Sequence, residues 1–143
     1  MTIKEIIHGS KEYIEEIQLR LEILRNPLGL EFSTAELDNE KSQFHIGIYQ
    51  GTELCGCLVL KPVDKITIQM RQVCIKLALQ KNGLGKKLVS YSEVFAKEKG
   101  FREMILHARE TVVPFYKRMG YSVNSEKFIE VTIPHFSMIK ELK

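Results

Sequence analysis

Met70-Arg71-Gln72-Val73-Cys74-Ile75-Lys76-Leu77, and soon after it Gln80-Lys81-Asn82-Gly83-Leu84-Gly85, decide how this chain is read. The first segment has the apolar content of a strand; the second carries two glycines into the start of a helix. Glycines at such a junction let the backbone approach a ligand, while the first N–H groups of the helix face it without partners. The helix dipole favours negative charge at the same point, and Lys81, Lys86 and Lys87 add positive charge around it. The junction therefore reads as an anion site with room for a diphosphate.

Two phosphate-binding motifs with the same physics are excluded by spacing. A P-loop needs glycine where Gln80 stands and Ser or Thr where Lys87 stands. A dinucleotide fingerprint needs a third glycine, and strands joined by βαβ crossovers. Upstream, Phe44 to Tyr49 and Leu54 to Leu60 flank the turn Gln50-Gly51-Thr52-Glu53, and Lys61-Pro62-Val63-Asp64 turns the chain into Ile66 to Leu77. This predicts a meander of three antiparallel strands. In the third, Ile66, Ile68 and Met70 alternate with Thr67, Gln69 and Arg71.

Further out, Thr2 to His8 reads as a short strand, and Ser10 caps a helix with Tyr13, Ile14, Ile17, Leu21 and Leu24 on its apolar face, ended by Asn26-Pro27. Ser33-Thr34 starts a helical turn inside a polar connector from Gly29 to Ser42. Gly83 opens a helix through Leu84, Leu88, Tyr91, Val94 and Phe95 that stops at Lys99-Gly100. Phe101 to His107 is a strand and Val112 to Met119 a short helix; Tyr121 to Val123, Phe128 to Ile133 and Phe136 to Leu142 are strand candidates.

The 143 residues suit one domain, 1–143, with an α/β (α+β) core, and 44% hydrophobic with 27% charged residues is an ordinary globular balance. The net charge of +3 comes from lysines scattered among glutamates, which argues against a nucleic-acid partner. Apolar stretches fall far short of the roughly 20 residues that span a bilayer, and Lys4, Glu5, Lys11 and Glu12 occupy the place of a signal peptide's apolar segment. A cytoplasmic protein with no membrane partner is expected. Cys55, Cys57 and Cys74 are odd in number and lie in strand-like runs, so reduced thiols are expected. No second Cys/His pair completes a metal site.

The pattern Q/R-x-x-G-x-G/A at Gln80 to Gly85 resembles the pyrophosphate loop of the GNAT family of N-acetyltransferases. The likeness extends to Val73-Cys74-Ile75 before the loop, to the helix after it, and to Val113-Pro114-Phe115-Tyr116-Lys117-Arg118-Met119-Gly120-Tyr121. It covers Phe44 to Val123. A looser similarity to small uncharacterised bacterial members takes in Leu24 to Gly29 and Ile133-Pro134-His135. The resemblance implies a mixed, mostly antiparallel sheet of about six to seven strands, flanked by about four helices and splayed between the fourth and fifth strands. It implies acetyl-CoA as co-substrate, no metal, and direct transfer to the amine of a small-molecule acceptor. The C-terminal strands are candidate edges for a homodimer.

By the same resemblance, Val73, Cys74 and Ile75 hold the pantetheine arm through their backbone. Gln80, Lys81, Asn82, Gly83, Leu84, Gly85 and Lys86 hold the pyrophosphate, and Arg109 stands where many members have a cofactor-contacting asparagine. Tyr116 is the expected acid for the departing thiolate and touches the cofactor. Attack by a neutral amine also needs a base, yet residues 66 to 79 contain no acidic side chain. The candidates are His135, Glu130, His107 and Glu110, with His135 preferred because Pro134 precedes it. Arg20 and Arg25, about 140° apart on an α-helix, are candidates to grip an anionic acceptor. His45 packs in its strand or faces solvent, His8 has no role, and Cys57 and Cys74 are inert thiols rather than acetyl carriers. The rival reading is a module of the same fold that binds acyl-CoA without transferring it.

Overall fold

The computed structural model describes residues 1–143. Strands β1 (Thr2–Ile6), β2 (Phe44–Gln50), β3 (Glu53–Pro62) and β4 (Thr67–Ile75) follow one another antiparallel. β5 (Glu103–Arg109) pairs parallel to β4, and β8 (Ile133–Glu141) pairs antiparallel to β5. β6 (Ser122–Val123) and β7 (Phe128–Glu130) share the outer edge of β8. The sheet thus has eight strands, matching the eight segments read from the sequence where the resemblance implied six to seven, and the turn at Val131-Thr132 moves the boundary between the last two so that Ile133 opens β8. Both turn residues have positive φ, 44° and 64°. The parallel β4–β5 pair requires a crossover, which α3 (Leu84–Glu98) supplies.

Each face of the sheet has its own core. Ile46, Leu58, Met70, Leu106 and Met138 pack beneath α3 and α4 (Val113–Arg118), while Ile6, Tyr49, Leu54, Cys57 and Cys74 pack beneath α1 (Lys11–Arg20). β3 is buried on both faces from Leu54 to Leu60, as a central strand must be. At Gly56 a Cβ would lie 2.4 Å from Ile75 Cδ1 and 3.0 Å from the Cys74 carbonyl oxygen, so glycine is what lets β4 press against β3 there.

Two helical faces differ from expectation. Ile14 is 56% exposed, and the buried face of α1 carries Tyr13, Glu16, Leu19 and Arg20. On α3, Tyr91 and Val94 are exposed, and Ser92 and Ala96 take the buried places. Ser92 fits because its hydroxyl donates to the Leu88 carbonyl one turn back, 2.9 Å away. The caps are as expected: Ser10 accepts from Tyr13 N–H, and Ser33 and Glu36 form a capping box on α2 (Thr34–Asn39).

Candidate active site

β4 and β5 are paired only from Thr67↔Glu103 to Met70↔Leu106. Beyond that they part, and the cause lies in β4. Gln72 and Val73 stand together opposite Leu58, a bulge whose extra residue, Gln72, has φ 55°. A bulge bends its strand and reverses which face the following side chains meet. Val73 and Ile75 therefore pack on the α3 side, while Cys74 turns under α1 with its Sγ 3.5 Å from that of Cys57. Lys76 N–H bonds the Cys55 carbonyl at 2.8 Å, so Lys76 and Cys74 address β3 with their backbone. Val73 and Ile75 turn theirs into the gap beside β5.

The gap leads into the glycine loop. Gln80 Nε2 donates to the Ile75 carbonyl at 3.1 Å, tying the loop to the strand end. Lys81 and Gly83 take positive φ, 70° and 79°, and Gly83 caps α3 with no side-chain hydrogen bond. The first intrahelical bond runs from Lys87 N–H to Gly83 O, which leaves the N–H groups of Leu84, Gly85 and Lys86 free of helical acceptors. Leu84 is buried and anchors the turn, while Lys81, Asn82, Lys86 and Lys87 are exposed around it. Space above Gly85 is open: a Cβ there would meet Phe115 at 3.7 Å, an ordinary contact. The loop thus offers N–H donors, positive charge and no steric obstacle, which fits a pyrophosphate.

Phe115 belongs to α4, and the next residue, Tyr116, is buried against it, with ring centroids 5.0 Å apart and Tyr121 at 5.6 Å on the other side. Burial pushes the Tyr116 phenol well above its ordinary range, with no charge or hydrogen-bond partner acting on it. The hydroxyl therefore keeps its proton across the physiological range, as a proton donor must.

On the opposite face, the structure corrects the expected acceptor-gripping role of Arg20. Its guanidinium is fully buried; Nη1 donates to Glu16 Oε2 at 2.6 Å and to Glu40 Oε1 at 2.8 Å, and Nη2 donates to Glu40 Oε2. Tyr13 also donates to Glu40, at 2.7 Å, and His45 lies between Glu16 Oε2 and the Glu40 carbonyl oxygen, 2.9 Å from each. Both partners of His45 only accept, so both ring nitrogens donate and the imidazole is charged. Burial alone would lower its pKa, but the hydrogen bonds and charges of Glu16 and Glu40 hold it above the usual histidine value. Glu16, Glu40 and His45 are close enough to share a metal ion, but Arg20 already supplies the positive charge between the carboxylates. His8, assigned no role, binds the Leu37 carbonyl through Nε2 at 3.0 Å and joins the connector to this cluster.

Arg25 is tied as well, to the Glu31 carbonyl at 3.1 Å and Glu36 Oε2 at 3.2 Å. The 140° separation from Arg20 does not hold, because α1 continues into a π turn, Leu21–Arg25, and both guanidiniums lie over the Phe32 ring, at 4.6 and 4.3 Å. That turn packs against β4. The cluster had one sequence signal that was passed over: Glu16 and Arg20, an oppositely charged i,i+4 pair, fall inside the apolar stripe of α1. Gln72 carried none, since nothing marks a glutamine for a left-handed backbone.

His135 and Arg109 are cross-strand partners at the open end of β5 and β8. His135 is 4% exposed; its Nδ1 donates to the Ile133 carbonyl at 2.7 Å, and its Nε2 lies 3.7 Å from Glu130 Oε2. The other carboxylate oxygen, Glu130 Oε1, accepts from His107 Nδ1 at 3.0 Å, and Phe128 meets both imidazoles. Glu110, the remaining candidate base, pairs with Lys127 at 2.8 Å.

A splayed β4–β5 pair ending in an anion-binding helix terminus defines an acyltransferase that draws on a coenzyme A thioester. Residues 25–142 match the acetyltransferase (GNAT) domain family, and the chain belongs to that family as an acetyl-CoA-dependent acyltransferase. It is 35% identical over 112 residues to the uncharacterized protein YyaT of Bacillus subtilis, covering 78% of this chain and 74% of that one. It is 34% identical over 107 residues to the uncharacterized N-acetyltransferase YjcF of the same organism, covering 74% of each. A GNAT family acetyltransferase from Elizabethkingia anophelis, crystallised with acetyl-CoA bound, shares the fold with a TM-score of 0.76 at 19% identity, over 99% of this chain and 97% of that one. No helix is long and apolar enough to cross a membrane.

Proposed function

We propose that residues 1–143 act as one domain that moves the acetyl group of acetyl-CoA to a primary amine of a small-molecule acceptor, by direct attack in a ternary complex. The observation that carries this reading is the continuity of the β4–β5 gap with the free N–H groups of Leu84, Gly85 and Lys86. Backbone groups of Val73 and Ile75, with Cys74 between them, receive the pantetheine arm. Gln80 to Gly85 and Lys86 receive the pyrophosphate, and Arg109 at the end of β5 lies along the same gap. Acetyl-CoA supplies an activated thioester. The Ile75 N–H polarises its carbonyl, Tyr116 protonates the departing sulfur, and the base lies at the β5–β8 end, where His135 was expected to serve. The protein works in the cytoplasm, and its C-terminal strands offer edges for a homodimer.

Calorimetric titration with acetyl-CoA tests the reading. Micromolar binding is expected for the wild-type chain, with loss in a Gly83→Glu, Gly85→Glu variant that places charge and bulk against the anion site. Tyr116→Phe should keep that binding and lose about 100-fold in turnover of amines. A folded wild-type chain that binds no acetyl-CoA would sink the proposal.

A further inference from the structure

We infer that His107 is the base that accepts the amine proton, with Glu130 as the positioning residue behind it; the inference rests on the reading just given. Leu106 is the last β5 residue paired with β4, so His107 is the first to stand beside the open gap. Alternation puts Leu106 and Ala108 in the core under α3 and turns His107 to the other face, where its side chain is 36% exposed. On β4 the same level is occupied by Arg71, and Val73 follows just past the Gln72 bulge. His107 thus stands at the lip of the gap, on the face not occupied by α3.

Its chemistry follows from its partner. Glu130 Oε1, 3.0 Å away, only accepts, so Nδ1 carries the hydrogen and the neutral ring keeps the Nε2 lone pair for an incoming proton. The Phe128 ring meets His107 edge to face at 5.2 Å and limits its rotation. Glu130 is held by the adjoining turn, where β-branched Val131 and Thr132 both adopt positive φ. Such conformations cost on the order of 1–3 kcal/mol each and persist only where their surroundings enforce them. His135 is buried on the other side of the same carboxylate, 4% exposed, with its Nδ1 spent on the Ile133 carbonyl, so it is less open to an acceptor than His107. As the amine nitrogen bonds the acetyl carbon, its proton passes to His107 Nε2. The carbon–sulfur bond breaks, and the sulfur takes the Tyr116 phenol proton. Solvent then reprotonates Tyr116 and removes the proton from His107.

Two readouts on the full chain test this. Long-range proton–nitrogen NMR of the 15N-labelled protein should show neutral His107 as the Nδ1–H tautomer, switching to Nε2–H in Glu130→Leu; a histidine without the proposed task would not need that tautomer. Thiol release from acetyl-CoA with spermidine, glucosamine and L-lysine amide should fall about 100-fold or more in kcat for His107→Gln, at unchanged KM for acetyl-CoA. Glu130→Leu should cause a smaller fall in kcat, and added imidazole should restore part of the loss in His107→Ala. A wild-type Nε2–H tautomer, or His107→Gln within about threefold of wild-type kcat, overturns the inference and leaves the proposed function standing. Wild-type protein that binds acetyl-CoA yet releases no thiol with any of the three amines overturns both.

Discussion

Histidine and glutamate meet twice on one face of this sheet, once beneath α1 and α2 and once at the end of β5 and β8. In the first meeting His45, Glu16 and Glu40 are sealed with Arg20, and both nitrogens of the imidazole are committed to acceptors. In the second, the Glu130 side chain is 42% exposed, and His107 gives it one nitrogen and leaves the other open. The residue types are the same, but their surroundings assign them to opposite tasks. In the dry cluster each charged group has an opposite charge in contact, because an unpaired buried charge costs several kcal/mol, although Glu16 Oε1 and Arg20 Nε lack hydrogen-bond partners. At a wet edge an unmatched nitrogen costs little and is free to handle protons.

The contrast is broken most severely at Arg20. Arg20→Ala leaves two carboxylates buried without their cation and should destabilise the chain by about 3–5 kcal/mol in urea unfolding. A loss below about 1 kcal/mol would mean that water reaches the cluster and that its charges resemble those at the edge.

His45 sharpens the comparison through pH. Its folded pKa is raised, so its contribution to stability is complete below the unfolded value near 6.5 and is lost as pH rises through the folded value. Among the groups around it, Glu40 has a lowered pKa, so its own contribution is lost only on acidification, while Tyr13, raised by burial and by Glu40, matters only in strong alkali. Unfolding free energy should therefore decline as the pH is taken upward from about 6.5, by no more than about 1.4 kcal/mol per pH unit. His45→Gln should flatten that slope, and a variant as pH-dependent as wild type would argue against a charged His45. The smallest effect is expected at the edge. Glu130→Gln should change unfolding free energy by less than about 1 kcal/mol while reducing turnover, the reverse of the pattern at Arg20.

The glycine loop was legible because its demands are local. Gly83 needs a left-handed backbone and α3 needs free N–H groups at its start, and both follow from residues within a few positions of one another. The same holds for the caps at Ser10 and Ser33. Arg20 was misread because its partner Glu40 lies twenty residues away, and Arg25 because a π turn replaced the α-helical geometry assumed for it. The base was narrowed to four residues with His135 preferred, a choice the sequence could not test because exposure and tautomer depend on how β7 folds back onto β8.

From sequence alone, then, came the order of strands and helices, the anion-binding junction and the family, all written in short-range spacing of glycines, caps and apolar residues. Tertiary structure alone decided that β4 parts from β5 at the Gln72 bulge, that Arg20 is sealed in, and that Glu130 stands between His107 and His135. Those outcomes depend on burial and on contacts between residues far apart in the chain, 20 for Arg20 with Glu40, 23 for His107 with Glu130, and 36 for the last β4–β5 pair, Met70 with Leu106. A side chain's charge and hydrogen bonds take their value from neighbours that only the folded sheet brings together.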